Sequence, residues 1–140
     1  MRHKIEAKIK RIRYYLTLLE SYKEDCSRRF GKDPMYEGAL LHYLYLASDG
    51  CIALAEMILK FRRIGSSQSY YEAIDTLGEY GIIPPDFAYD FAKIASFRNF
   101  LAHDYEKIDA KIICEESLKK LDEIRFYLDA IEKNMESRSP

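Results

Sequence analysis

Within nine residues, Phe97-Arg98-Asn99-Phe100-Leu101-Ala102-His103-Asp104-Tyr105, the chain carries a guanidinium, an amide, an imidazole, a carboxylate and a phenol. Each type has its own chemistry. A guanidinium holds a phosphate through a planar fork of donors. Histidine has the unperturbed pKa nearest neutrality and is the usual general acid or base. A tyrosine adds a hydroxyl. On an ideal helix Arg98 and Tyr105, seven apart, lie nearly on one face, whereas Arg98 and His103, five apart, diverge by roughly 140°. A single straight helix therefore does not converge them. Either the helix ends or bends near Ala102, or a second copy of the chain completes the site across a two-fold axis. Asn99 and His103, four apart, share a face and are within reach of each other.

The element that carries this stretch reads as an amphipathic helix starting near Pro85-Asp86. Phe87, Phe91, Ile94, Arg98, Leu101 and Tyr105 recur at steps of four and three, and Arg98 is the charged break in an otherwise apolar stripe. A guanidinium facing a core must be paired or face a cleft, because removing its partner costs about 3–5 kcal/mol. Upstream, Ile5, Ile9, Ile12, Leu16, Leu19 and Cys26 repeat with heptad spacing and predict one long helix to about Arg29. Gly31-Lys32-Asp33-Pro34 stops it and restarts a second helix, with Asp33 as cap and Pro34 at the first turn, running to about Arg63. The centre of that helix, residues 39–47, is apolar nearly all round and is expected to be the most buried part of the fold. Ser69-Tyr70-Tyr71-Glu72 is a capping box opening a short helix to Tyr80, closed by Gly81 and Pro84-Pro85. A last helix from about Asp109 turns Ile113, Leu121, Ile124, Leu128 and Ile131 inward, before a polar tail from about residue 137.

No segment alternates with period two, so the fold class is all-α. The expected architecture is an up-and-down antiparallel bundle of four to five helices with a short inserted helix, in one domain over residues 1–140. The 140 residues carry 22 basic and 23 acidic side chains, so there is no global basic field and phosphate recognition has to be local. Cys26, Cys51 and Cys114 are odd in number and far apart, which predicts buried free thiols in a reducing cytosol. No apolar leader and no run of membrane-spanning length is present, so a soluble, cytoplasmic protein is expected. His3, His42 and His103 lack a second ligand at helical spacing, so no metal site is expected. The common nucleotide-binding and hydrolase signatures are absent. Lys8, Lys10, Arg11, Arg13, Lys60, Arg62 and Arg63 read equally as an RNA-facing surface or as a solvated face.

Arg98-Asn99-x-x-x-His103-x-Tyr105 resembles the R-N-x-x-x-H-x-Y signature of the HEPN superfamily, in the form of HepT-type ribonuclease toxins from HepT/MntA toxin–antitoxin pairs. The similarity spans roughly residues 36–109. Leu46-Ala47-Ser48-Asp49-Gly50-Cys51-Ile52 resembles the acidic segment of that family's second helix, with Asp49 where glutamate is more usual and Ala53 in place of a second acid. Residues 69–73 and the run Leu77-Gly78-Glu79-Tyr80-Gly81-Ile82-Ile83-Pro84 resemble its connecting helix and G-[IV]-[IV]-P turn.

The resemblance implies a metal-independent endoribonuclease toxin with no cofactor, its cleft formed at a homodimer interface, acting on RNA such as tRNA or mRNA. Arg98 would hold the scissile phosphate, and His103 would be the acid or base for attack by the ribose 2′-hydroxyl. Asn99 would orient His103 or the phosphate, with Asp49 and Asp104 as candidate supporting acids. Tyr105 resembles the tyrosine that an MntA-like nucleotidyltransferase antitoxin modifies with AMP. The alternative from the same resemblance is a non-catalytic HEPN module that binds nucleotide or the nucleotidyltransferase. From residues alone, Arg98 is also readable as half of a structural ion pair with Asp90, Asp104 or Glu106, His103 as a helix C-terminal histidine and Tyr105 as core filler.

Overall fold

The computed structural model describes residues 1–103 and 108–137. Asp104 and Tyr105, both site candidates, lie outside the described residues. Among those described, the chain is helical throughout: α1 (Arg2–Lys23), α2 (Cys26–Arg29), α3 (Pro34–Phe61), α4 (Tyr70–Glu79), α5 (Pro85–Phe91), α6 (Ile94–His103) and α7 (Lys120–Ser137). A wide helical turn, Ile112–Glu116, and a tight one, Ser117–Lys119, lead into α7. α1 packs along α3, α3 against α6 and α4, and α7 against α1. Cross-contacts fix the directions. Tyr15 meets Tyr43 and Tyr22 meets Tyr36, so α1 and α3 are antiparallel. Arg13 reaches Asp129 and Arg125 reaches Glu20, so α1 and α7 are antiparallel too. The result is the expected up-and-down bundle, with α4 and α5 inserted as a small hairpin. None of the described helices is long and apolar enough to cross a membrane.

The heptad positions Ile5, Ile9, Ile12, Leu16, Leu19 and Cys26 are all buried, yet the helix they predict is not continuous. α1 stops at Lys23 and α2 restarts at Cys26. The Tyr36 hydroxyl donates to the Tyr22 carbonyl, which in a continuous helix would accept from the Cys26 N–H, so a tertiary bond replaces a local one at the break. α3 begins as expected, with the Asp33 side chain accepting from the N–H groups of Met35 and Tyr36 at 3.1 and 3.2 Å. An Arg29 hydrogen bond, reinforced by these backbone donors, holds the Asp33 carboxyl below its ordinary pKa. The deepest burial in α3 lies further along than residues 39–47. Ala47, Ser48, Gly50, Cys51, Ile52, Leu54, Ala55, Ile58 and Leu59 are buried, whereas Gly38 and His42 are exposed. At the centre, the fully buried Tyr127 of α7 donates to the Cys51 carbonyl at 2.8 Å, and burial pushes that phenol's pKa well above its usual value.

The Arg98 helix is likewise two elements rather than one. Between α5 and α6 the hydrogen-bond ladder tightens from four-residue to three-residue spacing, with Lys93 N–H to Asp90, Ala95 to Ala92 and Ser96 to Lys93. Phe91, Ile94 and Leu101 stay buried across the break, so the stripe survives the change of axis. α4 ends in a Schellman motif, with Ile82 N–H bonded to the Leu77 carbonyl at 2.9 Å, Gly81 N–H to Gly78 at 3.1 Å, and Gly81 at φ 71°. Gly78 has a different reason. A Cβ there would sit 2.5 Å from the Ala88 Cβ and 3.3 Å from the Pro85 Cα, so glycine lets α4 and α5 touch.

The cysteines depart from expectation. Cys26 and Cys114 form a disulfide, with Cα atoms 5.5 Å apart across 88 residues of sequence, and only Cys51 is a free, buried thiol. Sequence spacing carries no information about this pairing. The pairing arises because α2 and the wide turn before α7 meet at one end of the bundle.

Two measurements follow from this packing. In the chain-entropy picture, a cross-link closing a loop of this length is worth about 4.6 kcal/mol. Cys114→Ser is expected to lose about that amount in denaturant unfolding without reductant, and to match wild type when both are measured in excess dithiothreitol. Gly78→Ala, by forcing α4 and α5 apart, is expected to cost about 1–3 kcal/mol. An unchanged midpoint for Gly78→Ala would show that the hairpin is not packed this closely.

Candidate active site

Arg98 lies on α6 where that helix crosses α3, with its side chain only 16 % exposed. Two residues one turn apart on α3 receive it. Its Nε donates to Asp49 at 3.0 Å, and one terminal nitrogen donates to the Tyr45 hydroxyl, also at 3.0 Å. The other terminal nitrogen donates to the Asn99 side chain at 3.1 Å. The rings of Tyr45 and Tyr70 each lie 5.2 Å from the guanidinium carbon, within cation–π range. Burial is the largest single influence and works against the charge, but the Asp49 hydrogen bond together with the Coulombic influence of Tyr45, Asp49 and Tyr70 exceeds it, so the pKa is held above the ordinary arginine value.

Among the described residues the guanidinium has three of its five N–H groups bonded, and the other two have no partner there. Asp49 is 43 % exposed, so the pair sits at the rim of a cleft rather than in the core. The combination fixes the plane of the fork at modest desolvation cost, which is how a phosphate-holding arginine is kept oriented.

Of the sequence candidates, Arg98, Asn99 and Asp49 come together. The acid that pairs with Arg98 is Asp49, not Asp90, and Asp104 and Glu106 lie outside the described residues. Asn99 turns to Arg98 rather than to His103. His103 is exposed at the end of α6 and is not part of the cluster around Arg98, as the five-residue spacing requires. Within one chain the described residues thus hold an oriented guanidinium and, apart from it at the end of α6, an exposed imidazole. Tyr45 and Tyr70 are missed by motif reading. A signal for Tyr45 was available, since it precedes Asp49 by four residues and so shares its face of α3.

Of the basic residues on α1 and around the end of α3, Lys10, Arg11, Lys60 and Arg63 are exposed, whereas Arg13 and Arg62 reach across to α7. Arg13 is bonded to Glu132 and Asp129 of α7, at 3.0 and 2.7 Å, and Arg62 to Asn134 at 3.1 Å. Among the described residues no group of three or more metal-ligating side chains occurs.

Comparison with known proteins bears on this geometry. The chain is similar to a tRNA nuclease HepT from Aphanizomenon flos-aquae, at 29 % identity over 109 residues, covering 75 % of this chain and 71 % of the relative. It is also similar to an mRNA nuclease HepT from Shewanella oneidensis, at 22 % identity over 103 residues, covering 74 % and 77 %. Among solved structures, a tri-AMPylated Shewanella oneidensis HEPN toxin in complex with MNT antitoxin shares the fold with a TM-score of 0.81 at 22 % identity, over 92 % of this chain and 96 % of that one. A chain of a crystal structure of the toxin–antitoxin MntA–HpeT, in a mutant form, gives the same TM-score at 20 % identity, over 92 % of this chain and 98 % of that one. The family model for the Ribonuclease HepT-like proteins matches residues 12–131, which takes in α3, the α4–α5 hairpin and α6, and the chain belongs to that family.

Proposed function

We propose that this protein is an endoribonuclease toxin of a HEPN/nucleotidyltransferase toxin–antitoxin pair, cleaving RNA without a metal at a cleft completed by a second copy of the chain. The observation that carries this reading is the Arg98 cluster: a guanidinium oriented by Asp49, Tyr45 and Asn99, with two N–H groups unpartnered among the described residues, five residues before an exposed histidine. Arg98 grips the scissile phosphate and stabilises the charge that builds on it. His103 moves the proton as the ribose 2′-hydroxyl attacks, giving a 2′,3′-cyclic phosphate.

Because Arg98 and His103 diverge by roughly 140° on one helix, two copies related by a two-fold axis supply each other's missing half. A cytoplasmic location, where tRNA or mRNA is at hand, and an MntA-like nucleotidyltransferase antitoxin as partner belong to the same reading. It is supported by curated relatives that are named as HepT nucleases of tRNA and of mRNA. AMP placed on Tyr105, seven residues from Arg98, would add phosphate charge near the anion site and repel RNA.

Cleavage of total RNA or tRNA by the purified protein in excess chelator is expected. Arg98→Ala is expected to lower the rate by about 10²–10³, and His103→Ala by about 10²–10⁴, without change in the circular dichroism spectrum. Asp49→Ala, which frees the guanidinium, is expected to lower kcat about 10- to 100-fold with a smaller effect on KM. Absence of cleavage by the wild type, with Tyr105 unmodified by mass spectrometry, would favour a non-catalytic nucleotide- or partner-binding module.

A further inference from the structure

A groove with a volume of about 780 Å³ runs between the exposed face of α3 and the end of α6, lined by Gly38, Leu41, His42, Tyr45, Leu101 and Ala102. Its size is that of a small-molecule site, and its mixture of aliphatic, aromatic and few polar groups is that of a site for a flat heterocycle. Two observations tie it to a ligand rather than to the fold. Tyr45 belongs to both places, since its hydroxyl accepts from Arg98 while its ring lines the groove. Whatever occupies the groove therefore adjoins whatever Arg98 holds.

Gly38 is the second observation. It lies inside α3, its backbone needs no left-handed conformation, and a Cβ added there would meet nothing within 4 Å. A glycine in a helix interior costs about 1 kcal/mol relative to alanine. The fold does not require it at this position. Its effect is to leave the groove floor open to the backbone, between His42 one turn on and Pro34 one turn back.

We propose that this groove binds the nucleobase of the nucleotide whose phosphate Arg98 holds, with the base packed against Tyr45 and His42 over Gly38. The inference rests on the ribonuclease reading of the Arg98 site and extends it from the phosphate to the base. Phosphate contacts position a nucleic acid without reading it, whereas a base pocket adds stacking and a means of preference.

The test is binding of the four nucleoside 3′-monophosphates and 5′-monophosphates, with ribose 5-phosphate as the baseless control, followed by NMR or calorimetry. At least one nucleotide is expected to bind roughly 5- to 100-fold more tightly than ribose 5-phosphate, the range for stacking on one aromatic side chain. Gly38→Leu, which fills the groove from an open position, is expected to abolish that excess and leave ribose 5-phosphate binding unchanged. His42→Ala, at an exposed position, is expected to reduce the excess and guards against a folding defect in the first variant. Arg98→Ala is expected to weaken both ligands.

Equal binding of nucleotides and ribose 5-phosphate would overturn the proposal, as would an excess that survives both groove variants. So would conversion of a wild-type dimer to monomer by Gly38→Leu in sedimentation, since the groove would then be covered by the second copy. Failure of the ribonuclease reading shows separately, as absence of RNA cleavage by a wild type that still prefers nucleotides over ribose 5-phosphate.

Discussion

The constraint that organises this molecule is the need to cover α3. A helix with buried residues on nearly every face through its second half cannot stand at a surface, so α1, α4, α6 and α7 are each required to lie against it. α1 covers it with a row of isoleucines and leucines, close enough at one point that Gly50 leaves only the room that the Ile12 side chain fills. α7 covers it with Tyr127, whose single polar atom is matched to a backbone carbonyl of α3. The burial weakens toward the N-terminal half of α3, where Gly38 and His42 are exposed. That gradient decides where an open surface is left for chemistry.

The charged site lies at the border of this gradient. A guanidinium placed deeper along the α3–α6 seam would have to be fully desolvated, and its carboxylate partner with it, at a cost that the pairing hardly recovers. Placed further out, it would be a solvated side chain with no fixed orientation. At Arg98 the stem is packed, the fork is anchored on two residues of α3, and the paired carboxylate keeps nearly half of its exposure. The resulting charge is oriented by protein groups at the edge of the core.

What was legible in the sequence was what depends on local periodicity and local chemistry. The heptad positions of α1, the Asp33-Pro34 start of α3, the Ser69 cap of α4 and the inner face of α7 all follow from spacing and residue type. The breaks were not legible, because each depends on a partner distant in sequence or on a change of axis. Tyr36 takes the carbonyl that would have continued α1, and a tightened ladder at Ala92-Lys93 turns α5 into α6. The disulfide was hidden for the same reason, since 88 residues separate its ends. In the site, Arg98 announced itself as a charge in an apolar stripe, but its tyrosine neighbours did not stand out among twelve tyrosines.

The tightened turn at Ala92-Lys93 also bears on how such a chain can diverge. Because α6 is aimed mainly by its contacts with α3, and not by continuation of α5, the axis of the motif helix depends on the α4–α5 hairpin chiefly through α4, whose Tyr70 lies over Arg98. Length changes in the loop of residues 62–69 can be absorbed before α4 begins, whereas a shift of α4 itself would move Tyr70 off the guanidinium. That loop is the part of the connection open to drift in length and surface character, while the geometry around the guanidinium stays tied to the long helix it crosses and to the start of α4.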